Sequence, residues 1–206
     1  MAFDQGILQD EKTILPWDGQ ERTLSVWNQD QTAQGWMKDS VVWFSQYLTP
    51  HVGMKKIKEY LKAFNYGNQD MSGGLTKAWL NSSLMISADE QMSFLANLWK
   101  EKLSVSQRAI QLTQKITLLE TSPSGAVLHG KTGSGYAERS SIGRSLSRSA
   151  DPDLQEGWFI GHLSKGSQEY LFALNYVDLL RPMSTEPAGK VARELTKKIL
   201  SDLKLF

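Results

Sequence analysis

The sequence has no cysteine among its 206 residues. This absence removes thiolate catalysis, cysteine-based zinc sites and disulfide frameworks from the possible functions. An excess of charge of one sign is also missing, since 23 Lys and Arg face 22 Asp and Glu, for a formal net charge of +1. A balance so close to zero provides no electrostatic attraction for nucleic acid or for an anionic membrane, so we expect neither as a partner.

Long apolar runs are absent too, because no stretch of about 18 apolar residues occurs that could cross a membrane. The first residues show neither the basic nor the apolar region of a signal peptide. The three histidines lack His-x-x-x-His or His-x-Glu spacing, so we expect no metal centre. What remains, with 40% hydrophobic and 10% aromatic residues, is typical of a globular domain that buries its own core.

The first 122 residues predict a mainly helical lobe. Residues 53–64 place four apolar side chains on one stripe with lysines opposite, which is the period of a surface helix. Ser87-Ala-Asp-Glu90 matches a capping box, so a helix is expected over about residues 88–103. Ser104 is expected to cap the next helix, which would end near residue 116.

From residue 123 onward the pattern predicts strands and one final helix. The predicted elements are strands at 126–132, 157–163 and 169–177 and a helix at 187–203. A turn at Lys165-Gly166 would join the last two strands into a hairpin. The serine-rich and arginine-rich stretch between Gly133 and Gly157 is expected to be a long loop. This order favours a single α/β domain over residues 1–206, with lobes at 1–122 and 123–206.

Lys131-Thr132-Gly133 ends the first predicted strand. Since strand side chains alternate, Lys131 and Gly133 share one face, and Thr132 lies on the other. Strand twist would let the ammonium, the hydroxyl and the bare backbone line one cleft, where a substrate carboxylate and a flat ring could bind. Taken alone, however, the tripeptide is more often a turn.

Three further short motifs also have structural explanations when each is taken alone. Ser40-Val-Val42 lies where a serine is expected to cap a helix that runs to about residue 47. The motif Tyr66-Gly67-Asn68 contains two turn formers. Trp79 beside Leu80 would ordinarily pack in a core. Their order along the chain is more informative than any one of them.

Together the motifs resemble those of the class D, oxacillinase-type, serine β-lactamases. The resemblance rests on Ser-x-Val, Tyr-Gly-Asn, the string from Trp79 to Gln91, Lys-Thr-Gly, the Gly-Trp-Phe-x-Gly of residues 157–161, and Trp17-Asp-Gly near the start. It implies the fold of penicillin-binding transpeptidases, an antiparallel sheet flanked by helices plus a helical lobe. It also implies hydrolysis of β-lactams, such as penicillin and oxacillin, through a serine acyl-enzyme.

The Ser-x-x-Lys motif of that family, which supplies the nucleophile and the base upstream of Ser-x-Val, is absent. Among the 206 residues this spacing occurs only at Ser201 and Lys204, after Lys-Thr-Gly and in the final predicted helix. The resemblance therefore implies that the sequence begins within the nucleophile helix, without the N-terminal strands, and that this chain alone does not hydrolyse β-lactams. The full-length parent is expected to be periplasmic.

The resemblance further implies a pocket for the catalytic base. In the complete family the lysine of Ser-x-x-Lys is carbamylated by carbon dioxide in a dry pocket, and no other cofactor is expected. Val42 and Leu80 would shield that pocket, and the indole N–H of Trp79 would bond the carbamate. Tyr66, Gly67 and Asn68 would form the loop motif of the family, after the lysine-rich helix.

For the reaction itself, the resemblance implies that Ser40 passes a proton toward the leaving nitrogen. Lys131 would hold Ser40 and the substrate carboxylate in a positive field, and the Thr132 hydroxyl would donate to that carboxylate. The main-chain N–H of Ser134 would be one of two oxyanion donors. Many relatives add an arginine near the start of the last helix. Here Ala192 falls at that point with Arg193 next to it, so Lys131 with Thr132, or Arg193, would grip the carboxylate.

Two other functions stay open on the sequence. One is a non-hydrolysing penicillin sensor or a transpeptidase-like domain of the same fold, and such sensors tend to have a polar residue at the third position of Ser-x-Val. Val42 therefore favours the hydrolase. The other is a non-catalytic relic or a misassigned gene start. In each case the partner is a small β-lactam, and a homodimer, which some relatives form, also stays open.

Overall fold

The computed structural model describes residues 1–80, 82–138, 150–177 and 186–206. These residues form two compact units, Met1–Leu119 and Glu120–Phe206. The first unit is mainly helical and the second is a sheet with a closing helix, so the predicted fold class is confirmed. Within the described ranges, no helix is long and apolar enough to cross a membrane.

The first unit consists of helices and two very short strands. Its elements are β1 (Ile14–Leu15), a 3-10 turn (Ser25–Trp27), β2 (Gln31–Thr32), α1 (Ala33–Asp39), α2 (Val42–Val52), α3 (Met54–Ala63), α4 (Ala88–Trp99) and α5 (Gln107–Ile116). The capping box predicted at the start of α4 is confirmed. The Ser87 hydroxyl accepts from the Glu90 N–H at 3.3 Å, and the Glu90 carboxylate accepts from the Ser87 N–H at 2.8 Å.

Two helix boundaries differ from the prediction. The cap of α5 is Ser106, whose hydroxyl accepts from the Ala109 N–H at 3.3 Å, and not Ser104. The helix α4 ends at Trp99, earlier than predicted, because the chain turns at Glu101 with a positive φ of 53°. This turn directs the following segment back onto the core between α4 and α5.

The helix predicted to start at Ser40 starts later, and a separate short helix precedes it. Here α1 ends at Asp39, Ser40 adopts the left-handed conformation with φ 52° and ψ 45°, and α2 begins at Val42. The turn places the fully buried Val41 and Phe44 in one core cluster. Burial of these side chains explains the break between the two helices, which local periodicity does not show.

The core of the first unit is made of aliphatic and aromatic side chains from its helices and its N-terminal segment. The largest group contains Leu8, Ala33, Val41, Trp43, Phe44 and Leu48. The stripe predicted on α3 packs in a second group through Ile57 and Leu61, which are 4% and 3% exposed. The lysines of α3 stay on its exposed side, so the predicted surface helix is confirmed.

The second unit is a four-stranded sheet with one helix against it. Its elements are β3 (Leu118–Thr121), β4 (Val127–Glu138), β5 (Ala150–Lys165), β6 (Gln168–Val177) and α6 (Ala188–Asp202), with the strands in sequence order. The predicted hairpin is confirmed, since β5 and β6 pair antiparallel around a turn at Gly166, where φ is +60°.

Much of the stretch predicted as a long loop between Gly133 and Gly157 is strand. The strand β4 continues to Glu138, and β5 begins at Ala150. Main-chain pairing with the neighbouring strand, for example Tyr136 with Gln155, extends both elements through polar residues that show no apolar alternation. The arginines of this stretch, Arg139, Arg144 and Arg148, lie outside the described residues.

The helix α6 packs on one face of this sheet over an apolar core. The core contains Ala126, Leu128, Phe159, Leu163, Ala192 and Leu200. Two glycines permit the close approach of helix and sheet. A Cβ on Gly157 would overlap the carbonyl of Ala188, and one on Gly189 would overlap the carbonyl of Gly133. The start of α6 is therefore pressed against the Lys-Thr-Gly strand.

Candidate active site

Ser40 lies on the exposed turn between α1 and α2 in the first unit. Its N–H and that of Val41 both donate to the Trp36 carbonyl, the latter at 3.2 Å. The left-handed conformation of a non-glycine residue costs about 1–2 kcal/mol, so the surrounding contacts must hold it in place. Val42, the third residue of the motif, is the first residue of α2 and is half-buried. The motif thus presents an exposed hydroxyl-bearing residue on a strained turn.

The motif Tyr66-Gly67-Asn68 fastens two loop segments of the first unit together. The Asn68 side chain donates to the Ser83 carbonyl at 2.8 Å and accepts from the Met85 N–H at 3.0 Å. Gly67 has a φ of +51°, and a Cβ there would overlap the Met85 carbonyl. This motif therefore braces the segment that follows Trp79 and Leu80, and glycine is needed for the close contact.

An apolar cavity of about 500 Å³ lies within the first unit. Its walls are almost entirely apolar and include Phe3, Leu48, Val52, Ile57, Leu84, Phe94 and Ile110. Tyr66 contributes its ring to the wall, while its hydroxyl accepts from Gln91 Nε2 at 3.1 Å. Burial raises the pKa of the Tyr66 phenol, which stays neutral at physiological pH.

Of the three residues predicted to form the base pocket, Trp79 lines this cavity. Among the residues that the structure describes, the Trp79 indole N–H has no hydrogen-bond partner. Leu80 is 38% exposed, and neither Leu80 nor Val42 belongs to the cavity wall. The structure therefore places Trp79, but not Val42 or Leu80, in the wall of the apolar cavity.

Lys131 is a half-buried cation on β4 in the second unit. Since Leu128 packs in the cluster beneath α6, alternation places Lys131 and Gly133 on the opposite face, beside Ile160 and Trp158 of β5. Its Nζ donates to the Thr132 carbonyl at 2.8 Å. Burial lowers the pKa of the Lys131 ammonium to about 8. The group is therefore still mostly protonated at pH 7 and can attract a carboxylate.

The side chain of Ser134 is bonded to α6. Its hydroxyl accepts from the Gly189 N–H at 2.9 Å. Gly189 is the second residue of α6, where main-chain N–H groups have no partner within the helix. Ser134 thus acts as a cap for α6 from a neighbouring strand, while the predicted oxyanion role concerns its main-chain N–H.

Replacing Ser134 by alanine should lower the free energy of unfolding by about 1 kcal/mol, because the Gly189 N–H would lose its acceptor. Urea unfolding followed by circular dichroism measures this loss. Ser201→Ala, at an exposed position on the same helix, is the matched control and should change stability by less than about 0.5 kcal/mol. Equal stability of the two variants would show that the Ser134 hydroxyl does not support α6.

Neither candidate near the start of α6 reaches toward Lys131 as placed. Ala192 is completely buried in the core between α6 and the sheet. Arg193 bonds its helix neighbour Glu194, with distances of 3.2 and 3.1 Å from Nε and Nη2 to one carboxylate oxygen. The guanidinium is partly exposed, and this weak pair leaves it able to rearrange.

Several residues that organise these motifs were not predicted from the sequence. In the first unit, the indole N–H of Trp27 donates to the Asp39 carbonyl, directly before Ser40. In the second unit, Glu156 accepts from both the Trp158 indole at 3.0 Å and the Asn175 amide at 2.6 Å. From the sequence alone, an isolated tryptophan such as Trp27 predicts only core packing. Trp158 was noticed in the sequence only because it belongs to the Gly-Trp-Phe motif.

The predicted residues fall into two groups. Ser40, Val42, Tyr66, Gly67, Asn68, Trp79 and Leu80 belong to the first unit, and Lys131, Thr132, Gly133, Ser134 and Arg193 belong to the second. Nowhere in the described ranges do three or more histidine or acidic residues cluster in a way that could hold a metal ion. The first group offers an exposed serine and residues of an apolar cavity, and the second offers a desolvated ammonium and hydroxyl groups.

Comparisons with known proteins show which family this chain is similar to. The family of penicillin-binding protein transpeptidase domains matches residues 1–201. β-Lactamase OXA-1 of Escherichia coli is 42% identical over 179 residues, covering 84% of this chain and 60% of that enzyme. β-Lactamase OXA-9 of Klebsiella pneumoniae is 37% identical over 204 residues, covering 94% and 71%. The crystal structure of the class D β-lactamase OXA-427 has a TM-score of 0.86 and 37% identity, and covers 100% of this chain and 85% of that chain.

The matches show both the fold class of this chain and the family within that class to which it belongs. The fold is that of the penicillin-binding transpeptidase domains. Within that class the chain belongs to the class D β-lactamases, as the order of its motifs predicted. The match to OXA-1 spans less than two thirds of the length of that enzyme.

Proposed function

We propose that this chain carries the β-lactam recognition site of a class D β-lactamase and does not hydrolyse β-lactams by itself. The observation that carries the proposal is that the family match runs from residue 1 to residue 201 while no Ser-x-x-Lys precedes Ser40. Acyl transfer requires a nucleophile and a base. A chain with the recognition residues and without that pair can bind the substrate but cannot form the acyl-enzyme.

In the whole enzyme, the serine of Ser-x-x-Lys attacks the β-lactam carbonyl and opens the carbon–nitrogen bond. Ser40 delivers a proton to the departing ring nitrogen, and water then hydrolyses the ester. The exposed, left-handed position of Ser40 supports this role, because a residue on the turn between α1 and α2 is accessible to a substrate. We expect the whole enzyme to act in the periplasm.

Recognition of the substrate carboxylate falls to the second unit. The Lys131 ammonium supplies positive charge at neutral pH, the Thr132 hydroxyl donates a hydrogen bond, and the Ser134 N–H contributes to the oxyanion hole. Desolvation of Lys131 strengthens its attraction for an anion, because less water screens the charge. Arg193 would contribute only after leaving Glu194, so we assign the carboxylate to Lys131 and Thr132.

The base of the whole enzyme is a lysine carbamate formed from carbon dioxide, and that lysine is not among these 206 residues. Trp79 fits the neighbourhood of such a group, because it lines an apolar cavity and its indole N–H is available within the described part of the chain. No step of this chain's own chemistry depends on the carbamate.

The cavity supports the proposal that an apolar helix completes the first unit. The wall of the cavity is almost entirely apolar, so its side chains would be stabilised by an apolar partner, since burial of apolar surface contributes about 25 cal/mol per Å². The helix that carries Ser-x-x-Lys is the occupant that we propose.

The direct test is to incubate the chain with benzylpenicillin and follow both turnover and mass. We expect no hydrolysis above the buffer rate and no acyl adduct. A joined protein, in which the part of OXA-1 that precedes the matched region is fused ahead of Met1, should hydrolyse the drug. Turnover or an adduct with the unfused chain would contradict the proposal, as would a folded joined protein without activity.

A further inference from the structure

Two tryptophan side chains, those of Trp27 and Trp43, form hydrogen bonds near the left-handed residue Ser40. A serine has no intrinsic preference for this region, and only glycine, asparagine and aspartate adopt it with ease. The carbonyl of Asp39 belongs to the peptide group that defines φ of Ser40. It also lies in the last turn of α1, where carbonyls lack partners within the helix. Whatever bonds this carbonyl therefore fixes the orientation of Ser40.

The Asp39 carbonyl accepts a hydrogen bond from the indole Nε1 of Trp27 at 3.0 Å. The two residues are 12 positions apart, and β2 and α1 lie between them. Trp27 is the last residue of the 3-10 turn, and its ring packs against the core group that contains Val41 and Phe44. The same core group also contains Leu8, Leu15 and Ala33, which precede the turn, so part of the packing around the donor comes from outside the turn.

Trp27 in turn accepts a hydrogen bond from α2, the helix that follows Ser40 in the chain. Its carbonyl accepts from the indole Nε1 of Trp43 at 2.9 Å. Trp43 is only 7% exposed, and the Arg22 guanidinium lies 5.5 Å from the centre of its ring. Arg22 in turn makes two bonds to the Asp18 carboxylate, at 2.8 and 2.7 Å. One indole therefore bonds the carbonyl that precedes Ser40, and the second, from α2 after Ser40, bonds the carbonyl of Trp27.

We infer that Trp27 is a positioning residue for Ser40, which it holds in the left-handed conformation through the Asp39 carbonyl. Its catalytic consequence rests on the proton-transfer role proposed for Ser40. The conformational part does not, because φ of Ser40 is measurable without turnover. The inference adds to the Ser-x-Val motif a residue that lies outside it.

The test replaces Trp27 by phenylalanine and by benzothienylalanine, which substitutes sulfur for the N–H at nearly the same shape. The readout on the 206-residue chain is the three-bond coupling between the amide and α protons of Ser40, which differs between left-handed and right-handed backbone. Both variants should change this coupling and speed amide exchange at Ser40 and Val41. Trp36→Phe is the matched control, since it keeps the Trp36 carbonyl that accepts from the turn and removes only an indole N–H that donates to the Ser45 hydroxyl at 2.8 Å.

A second readout uses the joined protein. Trp27→Phe should lower kcat about tenfold and leave KM within about twofold, because the missing hydrogen bond misplaces Ser40 without removing a substrate contact. Trp36→Phe should leave kcat unchanged. The inference is overturned if both Trp27 variants keep the Ser40 coupling of the unchanged chain, or if Trp36→Phe alters it equally. A changed coupling with unchanged kcat would instead contradict the role of Ser40, so the two failures are distinguishable.

Discussion

Hydrolysis of benzylpenicillin by the joined protein should fall about 100-fold or more when Ser40 is replaced by alanine. A positioned proton donor typically contributes 10²–10⁴ to the rate. Alanine removes the hydroxyl that we propose as the proton donor to the ring nitrogen, while the helices on both sides of the turn keep their main-chain bonds. We expect the loss mainly in kcat, measured by the decrease in absorbance of the β-lactam ring under saturating substrate.

The control for this substitution is Ser167→Ala, at an exposed serine in the hairpin turn between β5 and β6. It should leave kcat and KM unchanged. Circular dichroism of both variants shows whether the fold is retained. If Ser40→Ala keeps turnover within about threefold of the parent while remaining folded, Ser40 does not transfer the proton and the proposed reaction sequence is wrong.

Replacement of Lys131 by methionine should have two opposite effects. It should abolish most β-lactam turnover in the joined protein, because the substrate carboxylate loses its cation. It should also raise the free energy of unfolding at pH 7, by up to about 3 kcal/mol, since burial of an ammonium is costly. Methionine fills a similar volume without charge, so the packing of β4 against β5 is retained.

The pH dependence of this stability difference follows from the direction of the pKa shift. Folding lowers the pKa of Lys131 from 10.5 to about 8, so between these values the unfolded chain binds more protons than the folded one. The stability of the parent should therefore rise with pH across this window. The advantage of Lys131→Met should be complete below pH 8 and should disappear near pH 10.5. Denaturant unfolding at pH 7, 9 and 10.5 measures it.

Lys38→Met is the matched control, because Lys38 is an exposed lysine on α1. Its effect on stability should be small at each pH. A parent chain whose stability does not rise between pH 8 and 10.5 relative to Lys131→Met would show that the ammonium of Lys131 is well hydrated. In that case desolvation would not explain its attraction for a carboxylate.

Most of the helices and strands follow from local patterns in the sequence. The stripe of α3 and the capping box at Ser87 and Glu90 are short-range features, so residues three or four positions apart suffice to predict them. The hairpin of β5 and β6 follows from its glycine turn. The strand ends in the polar stretch were not predictable, because pairing with a neighbouring strand extends them and their own residues carry no alternation.

For the candidate site, too, some features could be predicted from the sequence and others depend on tertiary contacts. The motifs around Ser40 and Lys131 identified the family, since those residue types in that order are specific. They did not reveal that Ser40 is left-handed or that Trp27 bonds the carbonyl before it. They also gave no sign of the cavity lined by Trp79, because a cavity is formed by side chains from many separate segments.

The sequence by itself determined which reactive groups this chain carries, their order, and the absence of cysteine and of an upstream Ser-x-x-Lys. The tertiary structure decided what state those groups adopt. Contact with a distant indole holds the backbone of Ser40, and burial of Lys131 lowers the pKa of its ammonium. The physical reason is that residue type sets the chemistry of a side chain, whereas backbone strain and desolvation depend on neighbours brought together only by folding.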